Sequence, residues 1–133
     1  MGPEELPRYR VAWISLAWLL VLGVAVGSLL PDLPDLGAVR SDKLMHFVAY
    51  GALAFMFMGA VGRRHWLRIA LGLLAFGGSL ELAQATLTGT RFGEWLDMAA
   101  NAAGVGAGVL AAAAFPSNWC RQVEILVGAG ARR

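Results

Sequence analysis

Apolar residues in this chain fall into four long runs, at residues 11–30, 43–61, 66–86 and 96–115, and polar positions gather between them. A run of about 20 residues makes a helix about 30 Å long, enough to cross the hydrocarbon part of a bilayer. The pattern therefore predicts four helices. Pro31-Asp32-Leu33-Pro34-Asp35 stops the first and opens a turn. Ser41 or Asp42 is the expected N-cap of the second. Gly62-Arg63-Arg64-His65 is a basic turn, residues 88–95 form a polar loop containing Gly89, Arg91 and Gly93, and Pro116 ends the fourth helix. A signal peptide competes for the first run, because Arg8 and Arg10 precede it and Gly27-Ser28 are small. The run is longer than a typical signal-peptide core and no A-x-A site follows, so it is read as a retained helix.

Composition agrees with this pattern. Of the 133 residues, 58% are apolar and 15% charged, and the mean hydropathy is +0.61. A soluble domain of this size cannot hide so much apolar side chain, so the expected class is all-α, an integral membrane four-helix bundle. The expected organisation is a polar head at 1–10, the helical domain at 11–115 and a basic tail at 116–133. The tail's apolar patch, 123–127, is too short to cross a bilayer. No repeat, linker or second domain is evident. The lysines and arginines are scattered, with no basic helix, which gives nucleic-acid binding no support. Cys120 is the only cysteine, so no intrachain disulfide can form, and a buried thiol without a role is its expected state.

Charge asymmetry sets the orientation. With the N-terminus cytoplasmic, Arg8, Arg10, Arg63, Arg64, Arg68, Arg121, Arg132 and Arg133 lie inside, and only Arg40, Lys43 and Arg91 lie outside. The positive-inside rule then predicts that both termini are cytoplasmic. Trp66, Trp95 and Trp119 fall near expected helix ends, where interfacial tryptophans concentrate.

In that topology the polar exceptions inside the runs collect at the outer end. Lys43, His46 and Tyr50 open the second helix at i, i+3, i+7, on one face. Glu81 and Gln84 share a face near the outer end of the third, and Glu81 lies about 7 Å below Thr86. Asp97 and Asn101 share a face where the fourth enters, and Arg91 adjoins them from the loop. Asn101 is in line with Gly104 and Gly108, a small-x-x-x-small surface suited to close contact with another helix.

Ionisable groups at that depth are costly unless partnered, and mark functional sites. Lys43, His46, Glu81, Arg91 and Asp97 together exceed what helix pairing needs. Gln84 and Asn101 are read first as bridges between helices, and Tyr50 as a packed, hydrogen-bonded residue. Asp42 is read as a cap, Asp32, Asp35, Glu94 and Arg40 as loop charges, and His65 as a surface residue. As a binding site, Lys43 and Arg91 would pair with phosphate or carboxylate, while Glu81, Asp97, Gln84 and Asn101 bridge sugar or amine groups. As an enzyme, His46 would be the acid or base, oriented by Glu81 or Asp97. No nucleophile accompanies it, since Ser79 points away from the Glu81 face and Ser41 lies in the loop. His46, Glu81 and Asp97 are competent metal ligands, but there is one outer histidine and no ligand-spaced pair, so no metal or cofactor is expected. A structural subunit is the third class, since the Ala- and Gly-rich fourth helix suits packing against a second copy or a larger membrane partner.

The set Asp42-Lys43-x-x-His46-Phe47-x-x-Tyr50, Glu81-x-x-Gln84, Arg91 and Asp97-x-x-x-Asn101-x-x-Gly104 resembles the VanZ-like family of bacterial membrane proteins. The resemblance covers roughly residues 28–110. Where the family often carries a serine or threonine shortly before the helix-four aspartate, this chain has Glu94 and Trp95. The resemblance implies a four-helix protein of the bacterial cytoplasmic membrane, and the name-giving member is associated with resistance to teicoplanin, a lipid-tailed glycopeptide. The reading that follows is a protein whose outer polar cluster binds an envelope lipid or an amphiphilic glycopeptide-type ligand. The bilayer is its constant partner.

Overall fold

The computed structural model describes residues 5–29, 41–87, 95–115 and 118–128. The described residues form five α-helices: α1 (Arg10–Leu29), α2 (Ser41–Val61), α3 (Trp66–Leu87), α4 (Trp95–Ala114) and α5 (Trp119–Leu126), with a 3-10 turn at Arg63–His65. There is no strand among the described residues. The fold is all-α, and α1 to α4 are the helices long and apolar enough to cross a membrane. Their bounds lie within two residues of those expected from the apolar runs. Gly62, at φ +100°, breaks α2 from the next turn in a backbone conformation that side-chain-bearing residues rarely adopt.

Hydrogen bonds and ion pairs fix the directions of the helices. Gln84 Nε2 of α3 donates to the Ser28 carbonyl of α1 at 2.7 Å, so the C-terminal ends of these helices meet. Lys43 of α2 pairs with Asp97 of α4, so their N-terminal ends meet. Successive helices therefore alternate in direction, as short connections favour.

The tightest pair is α2 with α4. The buried residues of α4 are Asp97, Asn101, Gly104, Val105, Gly108 and Ala112, which form one stripe. A Cβ added at Gly104 would strike the Phe47 carbonyl oxygen, and one added at Gly108 the Gly51 carbonyl oxygen. Absence of side chains lets the two backbones touch, as the small-x-x-x-small spacing leads one to expect. Tyr50, Leu53, Ala54, Leu73 and Val105 fill the core between α2, α3 and α4. Helix α1 packs loosely, with Ala17 its one buried residue. Trp18, Leu19 and Leu22 on it are exposed, as are Leu71 on α3 and Leu110 on α4. Apolar surface on this scale is consistent with a lipid bilayer as its partner.

The opposite end holds a further element within the tail. Residues 119–126 form an eight-residue helix that docks on α1 and α2. The Trp119 indole stacks on Phe55 at 4.6 Å and donates to the Phe55 carbonyl at 3.0 Å. It is seated over Gly59, where a Cβ would lie 2.6 Å from Cys120 Sγ. Trp119 is thus a packing anchor, whereas Trp66 and Trp95 are exposed at helix starts. Glu124 caps α1 from a distance in sequence: its carboxylate accepts from the Arg8 and Tyr9 backbone N–H groups at 2.7 and 2.8 Å and from the Trp13 indole at 3.0 Å. An anion there satisfies orphan N–H groups and suits the helix dipole. Arg63 caps α4 in the reverse sense, donating to the Ala113 and Phe115 carbonyls at 3.2 and 3.0 Å.

Candidate functional site

The site lies where the N-terminal ends of α2 and α4 meet the C-terminal ends of α1 and α3. Helical periodicity turns Lys43, His46 and Tyr50 of α2 toward α4 and α3. Lys43 Nζ sits 3.2 Å from Asp97 Oδ1. Asp97 is in the first turn of α4, where its negative charge suits the helix dipole. One turn further on, His46 Nδ1 and Asn101 Oδ1 are 3.0 Å apart. An amide oxygen only accepts, so Nδ1 carries the proton and donates. In the tautomer protonated at Nδ1 alone, the lone pair is on Nε2.

Glu81 completes the group from α3. Donor atoms of His46, Glu81 and Asp97, one from each residue, all lie within 4.8 Å of one another. Glu81 and Asp97 are only 8% and 7% exposed. At that separation two carboxylates repel by about 3 kcal/mol for an effective dielectric of about 20. The site therefore favours cationic charge beside its carboxylates, and Lys43 supplies it to Asp97 at 3.2 Å.

Below this layer sit Tyr50, 1% exposed, and Asn101, fully buried. Both face α3 at Gly77, one turn before Glu81. A Cβ there would come within 2.9 Å of Asn101 Nδ2 and 3.0 Å of the Tyr50 hydroxyl. Asn101 Nδ2 is buried with no hydrogen-bond partner among the described residues. A buried amide left without an acceptor costs about 1–3 kcal/mol.

An apolar groove of about 280 Å³ starts just past this floor, between α1, α2 and α3. Phe76 is its near end, with its ring 6.2 Å from that of Tyr50. Trp18 and Phe57 form its walls, and Arg68 lies at its far end.

The expected site residues divide as follows. His46, Glu81 and Asp97 converge, and Lys43, Asn101 and Tyr50 adjoin them. Gln84 is buried but reaches to α1, the bridging role expected of it. The Nδ1 of His46 is held by the Asn101 amide. Ser79 is exposed and donates to the Ala75 carbonyl at 2.8 Å, turned away from the group. Arg91 and Glu94, the loop charges Asp32, Asp35 and Arg40, and the capping side chains of Ser41 and Asp42 lie outside the described residues. Sequence reasoning overlooked Gly77; its one signal is that it precedes Glu81 by four residues, on the same helical face. Comparison with protein-family models, curated proteins and solved structures returned no match.

Proposed function

We propose that this chain is a VanZ-like multi-pass protein of the bacterial cytoplasmic membrane, a four-helix bundle with both termini cytoplasmic. Its cluster at the outer ends of α2, α3 and α4 binds the polar head of an envelope lipid or of a lipid-tailed glycopeptide of the teicoplanin type. The observation that carries this reading is the pairing of a buried polar group, holding an unsatisfied amide at Asn101, with an apolar groove that begins one aromatic ring away. That arrangement suits an amphiphile, with its head among Lys43, His46, Glu81, Asp97 and Asn101 and its tail along Phe76 toward Trp18. A head-group oxygen would accept from Asn101 Nδ2, and hydroxyl or amine groups of the head would donate to the Glu81 and Asp97 carboxylates. In this topology Arg63, Glu124 and α5 lie at the cytoplasmic face.

An acid–base enzyme acting on the same class of lipid is the second reading. One observation favours it: donation from Nδ1 to Asn101 fixes the tautomer in which Nε2 of His46 can take a proton.

The test compares the parent with Glu81→Gln, His46→Gln and Asp97→Asn. Lipid retained through purification is identified by native mass spectrometry, and stability is followed by thermal unfolding in detergent. An amide still makes hydrogen bonds, so Glu81→Gln keeps the helix contacts but removes the charge. The expected result is a folded protein that no longer retains the lipid. Variants that stay folded and carry the same lipid as the parent would refute the reading. Loss of folding in all three would make the cluster structural.

A further inference from the structure

We propose that His46, Glu81 and Asp97 form a binding site for one borderline divalent cation of the zinc type. The proposal goes beyond the lipid reading and does not depend on it. The first ground is the donor set. One imidazole nitrogen and two carboxylate oxygens, from three different helices, lie within 4.8 Å of one another. Zinc takes such ligands at about 2.0–2.2 Å, which places tetrahedral donors about 3.3–3.6 Å apart. From an outer separation of 4.8 Å the trio thus needs to close by at most about 1.2–1.5 Å.

The second ground is the support around the donors. A metal-bound histidine almost always donates its other ring N–H to a carbonyl or carboxylate, which fixes the tautomer. Here Nδ1 donates to Asn101 Oδ1 at 3.0 Å, and Asn101 is itself fully buried. Nε2 is then the ligand atom. Asp97 is held from its other side by Lys43 Nζ at 3.2 Å. With neutral imidazole the donor trio carries two negative charges against one from Lys43, so a dication brings the buried group from net −1 to net +1. An oxyanion in the remaining coordination position restores neutrality.

The third ground is the unpartnered amide. Among the described residues Asn101 Nδ2 is buried without an acceptor, beside Gly77 and one helical turn from Glu81. Asn101 would therefore serve two purposes: its oxygen orients the ligand histidine, and its nitrogen donates to an oxygen in the fourth position, either water or an anionic head group. Three protein ligands and one open position are the arrangement of reactive zinc sites. The donor types set the ion class. Cys120, the only cysteine, packs at the opposite end, so no thiolate selects Cu(I). Three protein donors including an imidazole do not make the six- to eight-oxygen cage that Ca²⁺ takes.

The test uses the full chain without a histidine tag, purified in detergent, stripped with chelator and reloaded with zinc chloride. Elemental analysis and competition titration with a chromogenic chelator should give one zinc per chain. X-ray absorption should report oxygen and nitrogen neighbours near 2.0 Å, at least one of them imidazole, and no sulfur. His46→Gln should lower affinity by at least about 100-fold, and Asn101→Ala by about 10–100-fold, as loss of outer-shell support does. His65→Ala, in the exposed turn, should leave affinity unchanged. No zinc above the level of a His46→Gln/Glu81→Gln double variant, a sulfur ligand, or binding that depends on His65 would overturn the proposal. The absorption spectrum of the parent decides even where a variant fails to fold. Lipid retention measured in the stripped and loaded protein keeps the two readings apart: zinc binding without lipid leaves this site standing while the head-group reading falls.

Discussion

The contact between α2 and α4 makes a sharp prediction through Gly104. A Cβ at this position would fall on the Phe47 carbonyl oxygen and lie 3.1 Å from the Gly51 nitrogen. Both are backbone atoms inside a helix, so no rotamer change relieves the overlap. An ordinary carbon–oxygen approach is about 3.3 Å or more, so α4 must retreat by on the order of 1 Å. Overpacking of this kind costs about 1–3 kcal/mol, and the better helix propensity of alanine offsets at most about 1 kcal/mol. The retreat falls at the level of the site. Phe47 follows His46 in sequence, and Gly104 lies one turn from Asn101, so the 3.0 Å His46–Asn101 bond stretches past its useful limit of about 3.5 Å. Gly106 is the control, because nothing lies within 4 Å of a Cβ there. Equilibrium unfolding in mixed micelles should show Gly104→Ala less stable by about 1–2 kcal/mol, roughly a 5- to 30-fold change in the folded-to-unfolded ratio. Gly106→Ala should be neutral or slightly stabilising. Equal stability of the two variants would refute direct backbone contact between α2 and α4.

Other predictions concern the end that carries α5 and the helix bridges. Burial alone would raise the Glu124 carboxyl, but the Tyr9 and Arg8 backbone N–H groups, the Trp13 indole and Arg121 outweigh it and hold it below the ordinary 4.5. Its contribution is therefore fully present above about pH 4.5 and fades as pH falls through the lower folded value. Glu124→Ala should cost about 3 kcal/mol at neutral pH, by stranding three donors. Its stability profile should then be flatter than the parent's between pH 5 and 3; parallel profiles would contradict the cap. Burial, with Glu124 nearby, pushes the Cys120 thiol up to about 12. The thiolate fraction at pH 7 is on the order of 10⁻⁵, and maleimide should label Cys120 only after unfolding. Gln84→Ala removes the bond to the Ser28 carbonyl and should cost about 1 kcal/mol of stability; no loss would show that the α1–α3 bridge carries nothing.

Much of this architecture is legible from period and length. Four apolar runs near 20 residues place α1 to α4, and the 3.6-residue repeat puts Lys43, His46 and Tyr50 on one face. Positions along the helices place Glu81 and Asp97 at the same level. Ligand spacing within a single helix says nothing about donors from three helices, which is why His46, Glu81 and Asp97 form a compact trio without any ligand-spaced pair. Helix α5 is hard to read because eight residues give barely two turns, and its anchoring depends on partners far away in sequence. Glu124 looks like one acid in a basic tail, yet it caps a helix more than 110 residues earlier. Gly77 is one glycine among 17, and its importance comes from what Asn101 and Tyr50 place opposite it.

Whether an amphiphile occupies the cluster and the groove is decided by a crystal structure of the parent grown from a lipidic mesophase doped with envelope lipid. Density is expected for a polar head group with an oxygen in hydrogen-bond reach of Asn101 Nδ2, surrounded by Lys43, His46, Glu81 and Asp97, and for a tail running past Phe76 toward Trp18. A dry cluster closed on itself, with Asn101 Nδ2 bonded to protein and lipid only around the perimeter of the helices, would contradict it.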